Sequence, residues 1–212
     1  MNPSRQTTQI QAKGLNREQY KKNLLIVGLP GVGKTTLMKK LYEALKDFRP
    51  VGFYTEEIRG GGERKGFELV NLEGKRGILS HVDTKSPYRV GRYKVDISGF
   101  EDFLDGISFS NPFTRLIIID EIGKMECLSD RFKKLLREAL GSGKWVIATI
   151  ALKGSGLITE VKQRQDVKLF EITKGNRNSL LSEILREINP KNNHPLAPIL
   201  PSSPATEDGK GD

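Results

Sequence analysis

Eight residues, Gly28-Leu29-Pro30-Gly31-Val32-Gly33-Lys34-Thr35, fit the spacing G-x-x-x-x-G-K-[ST], and Thr36 follows them. Each residue type has a chemical use. The glycines let the backbone curl so that successive N–H groups point inward and cradle phosphate oxygens. Lys34 can reach the β- and γ-phosphates of a bound triphosphate, and the Thr35 hydroxyl can ligate Mg²⁺. A second group of chemical residues stands far along the chain, where Asp120-Glu121 ends the apolar run Leu116-Ile117-Ile118-Ile119. A carboxylate there can hold the metal through its hydration shell beside Thr35. The next carboxylate can orient the attacking water and take its proton.

These residues need elements to position them. The run Leu24-Leu25-Ile26-Val27 predicts a buried strand ahead of the glycines. Residues 34–48 predict a helix with Leu37, Leu41, Ala44, Leu45 and Phe48 on one face. Strand, glycine loop and helix together make a Walker A loop, and the helix N-terminus adds partial positive charge where phosphates would sit. The run before Asp120 is apolar on both faces, as a central parallel strand is, so Asp120 takes the Walker B position.

Between the two lies a different pattern. Residues 51–58 read as a strand, residues 59–66 as a glycine-rich break, residues 67–72 as an alternating half-buried strand and residues 75–82 as a third. They predict an antiparallel meander attached to the main sheet. Residues 88–95 read as extended, and Ser98-Gly99-Phe100-Glu101 as a capping box opening a helix over 99–107. Ser129 can cap a helix buried through Phe132, Leu135, Leu136, Ala139 and Leu140. Strands over 145–150 and 167–173 and helices over 157–164 and 177–188 follow. Alternating strand and helix predicts an α/β domain over 23–188, its sheet mostly parallel and covered by helices on both faces. The ligand belongs at the carboxyl edge of the strands.

Other residues could join the site. Glu57, at a strand end, is a rival base, with Glu56 facing the opposite way, and Glu126, on the loop after Asp120, is a weaker rival. If strand 145–150 lies between the strands that carry the loop and Asp120, Thr149 emerges near the γ-phosphate. Arg59, Arg64, Arg164 and Arg177 are candidates for the extra cation that transition-state charge calls for. Thr173-Lys174-Gly175-Asn176 approaches a guanine-reading N/T-K-x-D but has asparagine where aspartate is needed, which predicts poor discrimination between bases.

The 212 residues suffice for one sizeable core, and no apolar run approaches membrane-spanning length. A polar N-terminal stretch without a signal-peptide core and a lone cysteine, Cys127, point to the cytoplasm without a disulfide or membrane partner. His81 and His194 stand far apart without cysteine company and make no zinc site. The net charge of +9 is spread along the chain. A nucleic-acid partner is therefore open but not favoured over a solvated basic surface and an anionic nucleotide. Residues 1–22 read as a flexible lead-in, with a short helix conceivable over 16–22. Residues 189–212, with Pro190, Pro195, Pro198, Pro201 and Pro204, read as a disordered tail. The oligomeric state is left open.

The glycine loop, the stretch Gly52-Phe53-Tyr54-Thr55-Glu56-Glu57-Ile58-Arg59, the run Ile119-Asp120-Glu121-Ile122-Gly123-Lys124-Met125-Glu126 and Thr173-Lys174-Gly175-Asn176-Arg177-Asn178 occur in that order. So arranged, with Arg64-Lys65-Gly66-Phe67 and Tyr88-Arg89-Val90-Gly91-Arg92-Tyr93, the chain resembles the cancer-related nucleoside-triphosphatase family over residues 24–188. The resemblance implies a RecA-like P-loop NTPase fold. It implies slow Mg²⁺-dependent hydrolysis of ATP, GTP and other nucleoside triphosphates to the diphosphate and phosphate. It carries over to the loop residues, Asp120 and Glu121; the segment Ile150-Ala151-Leu152-Lys153 matches only loosely. The alternatives are a nucleotide or nucleoside kinase, with the 59–66 loop as lid, and a nucleotide-regulated switch. The carboxylate Glu121 favours water as acceptor.

Overall fold

Hydrophobic strands without polar faces stack at the centre of the molecule. The structure, a computed structural model, describes residues 21–188. The expected tail lies outside these residues, and so does the expected lead-in apart from Lys21 and Lys22. In chain order the elements are β1 (Asn23–Val27), α1 (Lys34–Leu45), β2 (Val51–Gly60), β3 (Glu63–Asn71), β4 (Arg76–His81), β5 (Arg89–Val90) and β6 (Tyr93–Val95). There follow α2 (Ile97–Asp105), β7 (Leu116–Ile122), α3 (Asp130–Gly141), β8 (Trp145–Ile150), α4 (Leu157–Lys162), β9 (Val167–Glu171) and α5 (Leu180–Ile188).

The strands form one nine-stranded sheet in the order β5-β6-β4-β3-β2-β7-β8-β1-β9. From β2 to β9 every neighbouring pair is parallel, and from β5 to β2 every pair is antiparallel. The expected parallel core and meander are both present. β8 lies between β1 and β7, so the strands that deliver the glycine loop and Asp120 flank the strand that carries Thr149.

Each face of the sheet has its own core. On one face α1 and α5 pack Leu37, Met38, Leu41, Ile184 and Ile188 onto Leu24, Ile26, Ile118 and Ile147. On the other, α2, α3 and α4 cover Leu25, Ile117, Ile119, Val146 and Ala148. Alternate residues of β1 and β7 therefore enter opposite cores, which is why both strands read as unbroken apolar runs. Phe53 of β2 centres the second core, with the rings of Phe100, Phe103 and Phe132 at 5.9, 6.0 and 6.3 Å.

Several boundaries differ from the sequence expectation. Residues 59–66 do not break the meander; β2 runs on to Gly60, turns through Gly61-Gly62 and returns as β3 from Glu63. The glycines supply only the turn, and the flanking charged residues pair across the ladder. Residues 88–95 form a small hairpin, β5 and β6, rather than one extended run. The cap of α2 is Asp96, whose carboxylate accepts from the Gly99 N–H at 3.0 Å, and not Ser98. Glu101, the other half of the expected box, instead accepts from the Ser129 hydroxyl at 2.6 Å. Ser129 caps α3 as expected, accepting from Phe132 N. The last helix begins at Leu180, after a turn over residues 174–179.

Candidate active site

The glycine loop leaves β1 and enters α1 at the carboxyl edge of the parallel strands. Gly33, the residue before α1, has φ 109°, a conformation that side-chain-bearing residues rarely adopt. Among the described residues no side chain caps the N-terminus of α1, which leaves its first N–H groups available for an anion. Gly28 packs so closely that a Cβ there would lie 2.6 Å from Ile172, which seats the loop against the strand end of β9. Lys34 lies back along the loop, its Nζ donating to Gly28 O at 3.2 Å and standing 3.7 Å from Glu121 Oε2.

Asp120 and Glu121 close β7 next to this loop, joined by a cis peptide bond. Asp120 is 1% exposed. The Thr149 hydroxyl donates to its Oδ1, while its buried Oδ2 has no hydrogen-bond partner among the described protein atoms. Burial pushes the Asp120 carboxyl up, against the pull of Thr149, Thr35 and Lys34. A buried carboxylate oxygen with an unused lone pair, beside a threonine hydroxyl and a lysine, fits a hard cation that takes oxygen ligands. The Glu121 carboxyl is also pushed up, first by burial, while Lys34 lowers it and Asp120 raises it.

The remaining candidates separate. Glu126 is buried at 4% exposure, and its Oε2 accepts from Gly123 N at 3.1 Å. Burial, reinforced by Glu121 and Asp120, pushes its carboxyl up to about 8. Glu57 does not turn to the loop; Arg59 and Arg64 hold its carboxylate at 2.5 and 2.7 Å. Its neighbour Glu56 is the one that reaches α1, through Lys39 at 2.5 Å. Among the arginines, Arg59 and Arg64 are thus engaged on the meander. Arg164 pairs with Asp166 at 2.6 Å and bonds Leu140 O, at the amino edge of β9 and away from the phosphate edge. Arg177 is exposed on the turn between β9 and α5 and, among the described residues, has no ion-pair partner.

The Asn176 side chain is spent on its own turn. Its Oδ1 accepts from Thr173 N at 2.7 Å and its amide donates to Glu171 O at 2.8 Å. Sequence reasoning passed over Lys39, which sits between Glu56 and the Tyr54 ring, 4.5 Å from the ring centre, and adds positive potential at Asp120. Its place one helical turn beyond Thr35 was the available signal. The lone Cys127 is half-buried, and burial pushes its thiol up to about 11.

Comparison with known proteins agrees in extent with this domain. A family model described as NTPase matches residues 23–185. The "Nucleoside-triphosphatase THEP1" of Thermotoga sp. (strain RQ2) is 48% identical over 165 residues, covering 76% of this chain and 92% of that protein. The human "Cancer-related nucleoside-triphosphatase" is 43% identical over 180 residues, covering 77% of this chain and 95% of that protein. The crystal structure of THEP1 from Aquifex aeolicus superposes with a TM-score of 0.68 at 36% identity, covering 77% of this chain and 97% of that one.

Proposed function

Since the chain belongs to the nucleoside-triphosphatase family, a P-loop α/β fold that hydrolyses nucleoside triphosphates, we propose a division of labour among the residues at the edge of β1 and β7. The observation that carries it is Glu121, set near the end of β7 within 3.7 Å of the loop lysine, while Asp120 keeps an oxygen without a hydrogen-bond partner among the described protein atoms.

The backbone of residues 28–36 and the N-terminus of α1 hold the phosphates, and Lys34 exchanges Gly28 O and Glu121 for oxygens of the β- and γ-phosphates. Thr35 and Asp120 would hold Mg²⁺, which when bound neutralises charge on those oxygens. Thr149 keeps Asp120 oriented. Glu121 accepts a proton from the water as its oxygen bonds to the γ-phosphorus and the bridging P–O bond breaks, leaving nucleoside diphosphate and phosphate. Lys34 lowers the Glu121 carboxyl. Once Lys34 is shared with phosphate, Glu121 becomes the stronger base.

ATP, GTP and other nucleoside triphosphates all serve, because Asn176 supplies no carboxylate to read guanine and is occupied within its turn. We assign the protein to the cytoplasm, where these nucleotides are held. The relatives' names speak for hydrolysis, and nothing in them speaks for a kinase.

The test is Glu121→Gln. It removes the base and leaves the loop, so turnover falls by roughly 10²–10⁴-fold while nucleotide affinity stays within about threefold. Phosphate release and nucleotide binding, measured side by side, check both halves. Unchanged turnover would sink the assignment.

A further inference from the structure

The meander and the turn after β7 line a half-open cavity of about 280 Å³. No residue of the 28–35 loop lines it. Its walls are apolar, from Phe67, Leu79, Val90 and Met125, and the Ser80 hydroxyl contacts the Met125 sulfur at 3.3 Å and holds that side chain in place. Its polar end is made of two carboxyl groups, Glu121 and Glu126, which converge on Gly123. A Cβ at Gly123 would lie 2.7 Å from Glu126 Oε2 and 3.1 Å from Glu121 Oε1. Lys34 stands by the other Glu121 oxygen, Oε2, outside the cavity lining. The cation in the lining, Lys124, is exposed to solvent.

We propose that this cavity, which adjoins the triphosphate site and shares Glu121 with it, is a binding site for a small organic cation with an apolar body, an alkyl- or arylammonium. The walls withdraw the hydrocarbon from water. The ammonium donates to the paired carboxyl groups in charge-assisted hydrogen bonds. An anion would meet Glu121 as a like charge, and a neutral ligand would gain no charge-assisted hydrogen bond from either carboxyl group. The raised Glu126 carboxyl agrees, since it reflects a buried acid without a cation of its own. The site stands whether or not Glu121 is the hydrolytic base.

The experiment titrates the full chain, free of nucleotide and Mg²⁺, with phenethylamine and with its neutral isostere phenethyl alcohol, following methyl resonances of Leu79, Val90 and Met125. The amine is expected to bind at least about tenfold more tightly than the alcohol, with shifts centred on those methyls. Glu126→Gln narrows the preference to under about threefold, and Val90→Trp, which fills the cavity, removes binding of both. Equal binding of amine and alcohol, shifts centred elsewhere, no shifts at all, or a preference that survives both variants overturns the proposal. Phosphate release measured without amine is unaffected by any of these outcomes, so the two readings fail separately.

Discussion

Burial in the turn after β7, reinforced by the neighbouring Glu121 and Asp120 carboxyl groups, favours the protonated form of Glu126. Its carboxyl rises from the ordinary 4.5 to about 8 on folding. A carboxyl raised in the folded state binds more protons there than in the unfolded chain, so its contribution to stability is lost as pH rises from 4.5 towards 8 and is flat beyond. The loss amounts to up to roughly 5 kcal/mol. Glu126→Gln, which keeps the shape and cannot ionise, should therefore be close to neutral near the low end of that window and stabilising by about 4 kcal/mol at its high end. Urea unfolding of the metal-free protein at both ends checks this, and a difference that does not grow with pH contradicts it. At this scale the sequence identified Lys34, Thr35, Asp120 and Glu121 by type and spacing. It placed Glu126 behind Glu57 as a rival base without knowing which of the two meets the site. That choice depends on which carboxylate a neighbouring arginine removes and which a turn buries, and the meander and the turn after β7 decide both.

The elements show the same division. Periodicity located β1, α1, β7, α3 and β8 because each is apolar on the faces that the cores cover. Caps were harder, since a serine and a glutamate in box spacing compete with whatever stands before them. At α2 the aspartate one turn back wins the Gly99 N–H, and Glu101 is drawn to Ser129 on another helix. Asp96→Ala should cost about 1 kcal/mol and Ser98→Ala under about 0.5 kcal/mol. Thermal unfolding of the two variants compares them directly, and the reverse order would return the cap to Ser98. The glycine-rich stretch after β2 misled for a related reason. Glycine marks a turn, but its extent is set by cross-strand partners distant in sequence, and here they pair Arg59 with Arg64 and Gly60 with Glu63.

For the whole molecule, stability and selectivity follow from how the sheet is assembled. Phe53 sits where β2 meets α2 and α3, so Phe53→Ala empties the centre of one core and should cost about 3–5 kcal/mol. Denaturant titration measures it, and a loss below about 1 kcal/mol would mean that the core collapses to fill the gap. The turn beyond β9, whose asparagine is spent internally, should leave kcat/KM for ATP and GTP within about tenfold of each other. Parallel steady-state assays decide it, and a strict guanine preference would contradict the reading of that turn. Strand alternation, the phosphate loop and an acid pair closing an apolar strand were all determined by the sequence, because local spacing and periodicity suffice for them. Only the tertiary structure decided that β8 lies between β1 and β7, that Thr149 takes one oxygen of Asp120 and leaves the other open, and that Arg164 belongs to the opposite edge. The physical reason is that a strand's place in a sheet, and hence which side chains meet at its end, is set by contacts between residues distant in sequence.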